Sequence, residues 1–236
     1  MTPLFESCVD SVEAAIASER GGAGRVELCA RLDVGGTTPD FGLIAACVEA
    51  VSIPVCVMVR PRGGDFVYDA AEVSEMAADI RAAAAAGAHG VVFGALRADG
   101  TIDDEAMRRL IYTAKAMPVT CHKAIDASRD VAEALDALLA LGVDRVLTSG
   151  GGLTADDGAL TIASMVARAG EALTVMAGGS VRADSVAELV RRTGVRDVHA
   201  KLIPAGLTPP YDDAMTAGWE ATVAAFVAAA ADWESV

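Results

Sequence analysis

Basic residues are scarce in this sequence. There are 19 Lys and Arg residues against 33 Asp and Glu residues, which gives a formal net charge of -14. A field of that sign repels phosphodiester backbones and anionic membrane surfaces, so neither nucleic acid nor a membrane is an expected partner. A small anion can still bind where basic groups converge, because net charge describes the far field and not the inside of a cleft.

Paired-cysteine motifs and targeting segments are also missing. The five cysteines are odd in number, widely spaced and without a CxxC pair, so neither a disulfide framework nor a zinc ribbon is indicated. The start of the chain, MTPLFESCVD, has neither the basic nor the apolar segment of a signal peptide, and a cytoplasmic protein is expected. No linker, low-complexity tail or charge block divides the sequence, which predicts one domain over residues 1–236.

No apolar run is long enough and continuous enough to predict a membrane span. Residues 41–59 are apolar, but Glu49 and Pro54 divide them into a helix and a short strand. The Ala-rich stretch 221–231 is too short to cross a bilayer and suits a helix packed on a barrel.

What the sequence does contain is a regular alternation of short β-branched runs and longer helical patterns. The repeat of roughly 20–35 residues suits βαβ units, and eight of them predict a closed (β/α)8 TIM barrel. An open doubly wound sheet is the alternative, disfavoured because no GxGxxG opens the first helix. Predicted helices include 71–86, 131–141 and 186–192. The predicted strands are 3–6, 25–29, 54–60, 90–94, 117–122, 145–148, 173–177 and 197–200.

Polar residues recur at the ends of these strands, where TIM barrels carry their active sites. Side chains of a strand alternate between its two faces, so the apolar Val26 and Leu28 should face the helices and turn Glu27 and Cys29 inward. The same alternation turns Cys56, Met58, Arg60, Thr120 and His122 inward and Cys121 outward. The pattern therefore predicts an inner cluster of Glu27, Arg60 and His122 at the barrel mouth.

This cluster has two interpretations. Glu27 and Arg60 form a structural ion pair, or they orient and protonate a substrate. A histidine beside a carboxylate suits a general acid or base, because its unperturbed pKa lies near neutrality. The enzyme hypothesis is an isomerase, epimerase or lyase that acts on a small anionic or phosphorylated metabolite, with Glu27, His122, Arg60 and Asp126 as catalytic residues.

Glycine-rich loops and a second arginine indicate where such an anion would bind. Ser149 and Gly150 follow the sixth predicted strand, and Gly178 and Gly179 follow the seventh, so exposed N–H groups could cradle an anion. Arg62 adds a guanidinium group that suits carboxylate or phosphate. The alternatives are that the glycines only permit tight turns and that Arg62 sits on a solvated loop tip beside Asp65.

Several stretches closely resemble the CutC family of copper-homeostasis proteins. They are CVDSVE (8–13), ERGGAGRVELC (19–29), GGTTPD (35–40), VMVRPRGGDFVY (58–68), VFGAL (92–96), DG (99–100), VLTSG (146–150) and VMAGG (175–179). The resemblance covers about the first 200 residues and implies a cytosolic TIM barrel linked to copper tolerance. It implies no established reaction. The positions that match the family pattern are Glu27, Cys29, Arg60, Arg62, Asp65, His122, Asp126, Ser149 and His199.

The chain departs from the family pattern at two strand ends. Where the family reads FHRAFD, this chain has CHKAID from Cys121 to Asp126, so Lys123 replaces an arginine and both aromatics, at Cys121 and Ile125, are gone. Because lysine replaces arginine at position 123, weaker binding of an anion is expected. Beyond His199 the family carries a Ser-Ala pair, whereas Ala200 and Lys201 stand here.

The copper hypothesis depends on soft donors. Cu(I) prefers thiolates and thioethers. The predicted copper(I) ligands are Cys29 and, near the neighbouring strand end, Cys8. Cys47 and Cys121 suit small buried hydrophobic residues. The ligand is thus expected to be a copper ion or a small anionic metabolite, His199 is grouped with the anion-binding residues, and a homo-oligomer is expected. A barrel that serves mainly as an oligomeric scaffold is a third hypothesis.

Overall fold

Short runs rich in valine form the strands, as the sequence predicted. The computed structural model describes residues 2–202 and 211–234. The parallel strands within these residues are β1 Leu4–Val9, β2 Arg25–Leu28, β3 Val55–Met58, β4 Gly90–Phe93, β5 Val119–Cys121, β6 Arg145–Thr148, β7 Thr174–Gly178 and β8 Asp197–Ala200. Each strand pairs with its neighbours in chain order, and β8 pairs with β1, so the sheet closes into a barrel. The TIM-barrel prediction is confirmed.

A helix follows each strand, and acidic residues start most of the helices. The helices are α1 Val12–Arg20, α2 Phe41–Ala50, α3 Ala70–Ala85, α4 Asp104–Ala114, α5 Val131–Leu141, α6 Ala159–Ala169, α7 Val186–Thr193 and α8 Asp213–Ala231. At five of these helices the N-cap is an aspartate whose side chain accepts a hydrogen bond from an N–H group of the first helical turn. They are Asp40, Asp69, Asp103, Asp130 and Asp212. Such N-caps stabilise a helix by about 1 kcal/mol each.

The strands separate an apolar outer layer from a polar interior. Cys121 and Cys47 lie in the outer core between strands and helices, as predicted for them. Inside the barrel, Arg25 forms ion pairs with Glu6 and with Asp197, whose Oδ2 lies 2.7 Å from Arg25 Nη2. The floor of the barrel is therefore an ion-pair network rather than an aliphatic plug.

Strand β1 extends beyond the predicted 3–6 and ends at Val9. The polar residues Ser7 and Cys8 hide the strand pattern in the sequence. Ser7 points outward, where its Oγ accepts a hydrogen bond of 2.9 Å from Ser18 on α1. Cys8 therefore lies within the strand and on its inner face, rather than just beyond the strand end.

Helix α8 covers α1 and α7 with one face. That face buries Trp219, Val223, Phe226 and Ala230, which recur at helical spacing. The helix is longer than the Ala-rich stretch 221–231, and its residues Ala214–Ala231 have the length and composition of a membrane span, with 22% of that window buried.

Candidate metal centre and barrel mouth

Four sulfur atoms gather inside the barrel. Cys8 on β1, Cys29 directly after β2, and Cys56 and Met58 on β3 form a buried group, hereafter the sulfur cluster. It is packed separately from the main apolar core. The strand alternation predicted from the valines accounts for it, because each of these residues occupies the inward face of its strand.

Two further donors lie beside the sulfur cluster. One ligand atom each of Cys8, Glu27 and His199 lies within 4.8 Å of the others. Cys29 Sγ lies 3.5 Å from Glu27 Oε2, and His199 Nε2 lies 3.8 Å from the same oxygen. The register explains this meeting, since Cys8 is paired with Glu27 across β1 and β2, and Glu6 with His199 across β1 and β8.

His199 is held in place from below. Its Nδ1 lies 2.9 Å from Glu6 Oε1, and Glu6 in turn is ion-paired with Arg25. Burial alone would raise the pKa of Glu6, but His199 and Arg25 lower it to about 2. A carboxylate that fixes one ring nitrogen of a histidine leaves the other free to face a ligand, as in many metal sites.

The thiols of the cluster differ in acidity. The pKa of Cys8 is lowered to about 5 because Cys29 and His199 hydrogen bond to its sulfur, against the opposing effect of burial. The Cys29 thiol has a raised pKa because it donates to Cys8 and is itself buried. Burial raises the pKa of Cys56 to about 12. Cys8 is therefore the more acidic thiol of the pair.

The donor set fits a soft cation. Cu(I) takes two or three sulfur or imidazole ligands, and Cys8, Cys29 and His199 supply that chemistry in a buried place. Glu27 Oε1 is also buried without a hydrogen-bond partner. Gly36, at φ 88°, leaves room for this arrangement: a Cβ there would lie 3.1 Å from Cys29 Sγ.

Above the sulfur cluster lies a cavity of about 500 Å³, hereafter the mouth cavity. Glu27, Arg60 and His122 all line it, so the structure brings the predicted inner cluster together. No ion pair between Glu27 and Arg60 is found. Arg60 instead donates to the main-chain carbonyls of Val34, Gly36 and Gly64 at 2.8–3.0 Å.

His122 is neutral and presents a hydrogen-bond donor. Its Nδ1 accepts the N–H group of Ala124 at 3.2 Å, so the ring proton resides on Nε2. That Nε2 is buried without a partner. Burial, assisted by the charge of Arg60, lowers the pKa of His122 to about 3.

The glycine loop after β6 is filled by the protein's own carboxylate. Asp126 Oδ1 accepts the N–H of Gly151 at 2.9 Å and the Thr148 hydroxyl at 2.6 Å, and Oδ2 accepts the N–H of Ser149 at 3.0 Å. Lys123 Nζ lies 2.6 Å from Asp126 Oδ2. Asp126 thus occupies the cradle that the sequence suggested for an external anion, and it does not line the mouth cavity.

The glycines of these two loops serve close packing. A Cβ on Gly150 would lie 2.4 Å from the carbonyl oxygen of Gly158, and one on Gly178 would lie 2.4 Å from Leu147 and 3.2 Å from His199. Gly179 adopts φ 114°. These contacts match the tight-turn alternative of the sequence analysis; an anion-binding role for Ser149, Gly150, Gly178 and Gly179 stays a prediction.

Arg62 lies apart from the mouth cavity. Its guanidinium group contacts Glu72 at 2.5 Å, Asp65 at 2.9 Å and the carbonyl of Val67 at 2.8 Å. These contacts match the alternative in which Arg62 sits on a loop tip and is neutralised by Asp65. Arg62 was the cation predicted at this place, but the cavity is lined instead by Lys201, which follows β8.

The sequence pattern gave no role to Glu6, which orients His199. Met58, predicted to face inward, belongs to the sulfur cluster. The sequence feature that could have identified Glu6 is its position two residues before Cys8. Residues two apart on a strand share a face, so both lie on the inner face once β1 extends to Val9. The position of His199 beside Cys8 and Glu27, rather than beside the glycine loops, needed the register of β8 against β1.

The CutC family contains proteins that resemble this chain over most of its length. The model of the CutC family matches residues 3–203. A copper homeostasis protein cutC homolog of Mus musculus is 46% identical over 196 residues, which cover 83% of this chain and 72% of the mouse protein. A CutC family protein of Xanthomonas campestris pv. campestris is 49% identical over 196 residues, which cover 83% of this chain and 82% of that protein.

Solved structures agree on the fold. The crystal structure of a CutC protein from Streptococcus agalactiae superimposes with a TM-score of 0.80 at 33% identity, covering 84% of this chain and 97% of that one. N-(5'-phosphoribosyl)anthranilate isomerase from Pyrococcus furiosus gives a TM-score of 0.60 at 18% identity, covering 99% and 100% of the two chains. At that identity the second likeness shows the barrel fold alone.

Proposed function

This chain belongs to the CutC family, and on that premise we propose that it acts in copper homeostasis by binding Cu(I) through Cys8 and Cys29. His199 and Glu27 stand beside these thiols as further donors. Copper is then the cargo of the protein, held inside the barrel beneath the mouth cavity.

One observation carries the proposal: a thiol pair, an imidazole and a carboxyl group meet in one buried place on three different strands. The ligand atoms of Cys8, Glu27 and His199 lie within 4.8 Å of one another, and Cys29 Sγ lies 3.5 Å from Glu27. Thiolates select Cu(I) over harder cations, and the mixed sulfur and nitrogen set excludes a preference for Mg²⁺ or Ca²⁺.

The test is a Cu(I) titration of the reduced protein without oxygen, in competition with a chromogenic chelator. Wild type is compared with Cys29→Ser and with Cys47→Ser. Cys47 is a matched control because it is a buried cysteine of helix α2 in the outer core, away from the sulfur cluster.

The expected result is binding of one Cu(I) per chain that Cys29→Ser weakens by at least about a hundredfold, the loss of roughly one strong ligand. Cys47→Ser should bind as wild type does. Equal affinity in all three proteins would contradict the proposal.

Acid-base catalysis on a metabolite remains the second hypothesis. It needs a group that exchanges a proton near neutral pH. With a pKa of about 3, His122 stays neutral there and its Nε2–H acts as a donor, so the proton-exchanging group of this hypothesis would be Glu27, whose pKa burial raises well above its usual value. The copper-binding proposal ranks first because the thiols, the imidazole and the carboxyl group meet in one buried place.

A further inference from the structure

Three residues that line the mouth cavity each carry a buried polar atom without a partner. The atoms are Glu27 Oε1, Arg60 Nε and His122 Nε2. Each residue is at most 5% exposed. A buried polar atom left without a hydrogen bond costs free energy, so the two donors among them, Arg60 Nε and His122 Nε2, indicate a ligand that carries an acceptor.

Arg60 is a buried cation without a matching anion. The partners of its other nitrogen atoms are the carbonyls of Val34, Gly36 and Gly64, and its charge stacks 4.9 Å from the ring centre of Phe66. Among the described residues no carboxylate forms an ion pair with it. A guanidinium group removed from water normally acquires an anionic partner. Its unpartnered Nε–H therefore calls for an acceptor that carries charge.

His122 supplies a second donor on the same side. Its ring packs 4.8 Å from Phe66, which also contacts Arg60, so one aromatic ring holds both donors in position. The hydrogen bond from Ala124 to Nδ1 fixes the ring proton on Nε2. The Nε2–H group of His122 therefore faces outward from this hydrogen bond as a donor, and it can donate to an oxyanion.

The charges around the cavity favour the same class of ligand. Besides the imidazole of His199, its described lining carries the cations Arg60, Lys123 and Lys201 against the single carboxyl group of Glu27. Lys123 is partly neutralised by Asp126, and Arg60 and Lys201 still outnumber Glu27. The cavity thus has a local excess of positive charge in a chain whose formal net charge is -14.

We propose that the mouth cavity binds a small organic anion whose carboxylate or phosphate group accepts hydrogen bonds from Arg60 Nε–H and His122 Nε2–H. Leu32, Phe66 and Leu147 form the apolar wall against which its carbon skeleton packs. A volume of about 500 Å³ suits a metabolite rather than a bare ion. Cys8, Glu27 and His199 also line this cavity, so the anion would lie directly above the thiol pair, but its donors are Arg60 and His122 and its binding does not require copper.

The test is calorimetric titration of the copper-free protein, kept with a chelator, using probes that separate the two headgroups. Succinate represents the carboxylate class and glycerol 3-phosphate the phosphate class, with succinamide and glycerol as their neutral counterparts. Wild type is compared with Arg60→Lys and His122→Asn, which remove one donor each. Arg62→Lys is the matched control, since Arg62 lies outside the cavity and is ion-paired to Glu72.

One charged probe should bind saturably while its neutral counterpart does not, and each cavity variant should weaken it by about tenfold, as the loss of one hydrogen bond to a charged group implies. His122→Asn keeps an acceptor for Ala124, so it serves if Arg60→Lys unfolds the loops. If neither probe binds saturably at about 10 mM, the proposal is overturned, because a dissociation constant above that concentration is too weak for a cellular ligand. An equal loss in Arg62→Lys would overturn it as well.

The same titration in Cys29→Ser separates this proposal from the copper function. Binding of the anion should persist there, because Cys29 does not line the mouth cavity. A protein that binds copper but no anion would refute the anion site alone.

Discussion

His199 Nδ1 lies 2.9 Å from Glu6 Oε1, with the Arg25 guanidinium on the far side of that carboxylate. The ion pairs at the barrel floor are therefore linked through His199 to the thiols of the sulfur cluster. Stability and the orientation of a candidate metal ligand depend on the same buried residues.

Replacing Glu6 by Gln should destabilise the protein by about 3 kcal/mol, because it leaves the buried Arg25 with only Asp197 as its anionic partner. Urea unfolding measures the loss. Glu171→Gln is the control: its ion pair with Arg196 is exposed, and its removal should leave the free energy of unfolding nearly unchanged. Equal effects at the two positions would contradict the role given to Glu6.

Gly36→Ala should weaken Cu(I) binding. The new Cβ would lie 3.1 Å from Cys29 Sγ and 3.7 Å from Met58 Cε, at φ 88°. Gly142→Ala is the matched control, because it has φ 72° and nothing within 4 Å of its Cβ position. Both variants should lose about 1–2 kcal/mol of stability through backbone strain, while only Gly36→Ala should change the copper affinity. Unaltered affinity in Gly36→Ala would place the copper elsewhere.

Asp126→Asn should destabilise the protein by about 2 kcal/mol, since an amide cannot accept all the hydrogen bonds that reach the carboxylate from Ser149, Gly151 and Lys123. Thermal or urea unfolding reports it. Asp33→Asn, at an exposed position, should unfold at nearly the same urea concentration as wild type. A neutral outcome at Asp126 would mean that the glycine loop does not need its internal anion.

The pKa of His122 predicts a pH dependence of stability. The folded value of about 3 lies below the ordinary 6.5, so the unfolded chain binds a proton first as the pH falls. His122 therefore contributes stability above pH 6.5 and loses it on the way down to about pH 3, at about 1.4 kcal/mol per pH unit. The stability advantage of wild type over His122→Asn, followed by urea unfolding, should shrink accordingly below pH 6.5. A constant difference would show that His122 takes up a proton in the folded protein.

The fold was predictable because its signals are local. Valine-rich runs and strand alternation predicted the barrel, and the inward placement of Glu27, Cys56, Met58 and His122 followed from the apolar neighbours of each. Strand β1 was predicted too short because Ser7 and Cys8 interrupt its apolar pattern, and the contact of Ser7 with Ser18 is not visible in the sequence.

The partners of the site residues could not be predicted in this way. Strand alternation states which face a side chain occupies but not which residue it meets. Thus Arg60 turns to main-chain carbonyls rather than to Glu27, and Asp126 fills the glycine loop from another strand end. These choices depend on loop conformations that connect residues distant in the chain.

The most direct measurement is the copper X-ray absorption spectrum of the reduced protein loaded with one equivalent of Cu(I). The account predicts a Cu(I) edge with sulfur as the dominant scatterer in the first shell, a signal that persists in Cys47→Ser and disappears in the Cys8→Ser, Cys29→Ser double variant. A shell of nitrogen and oxygen alone, or a spectrum that the double variant leaves unchanged, would contradict copper binding at the sulfur cluster.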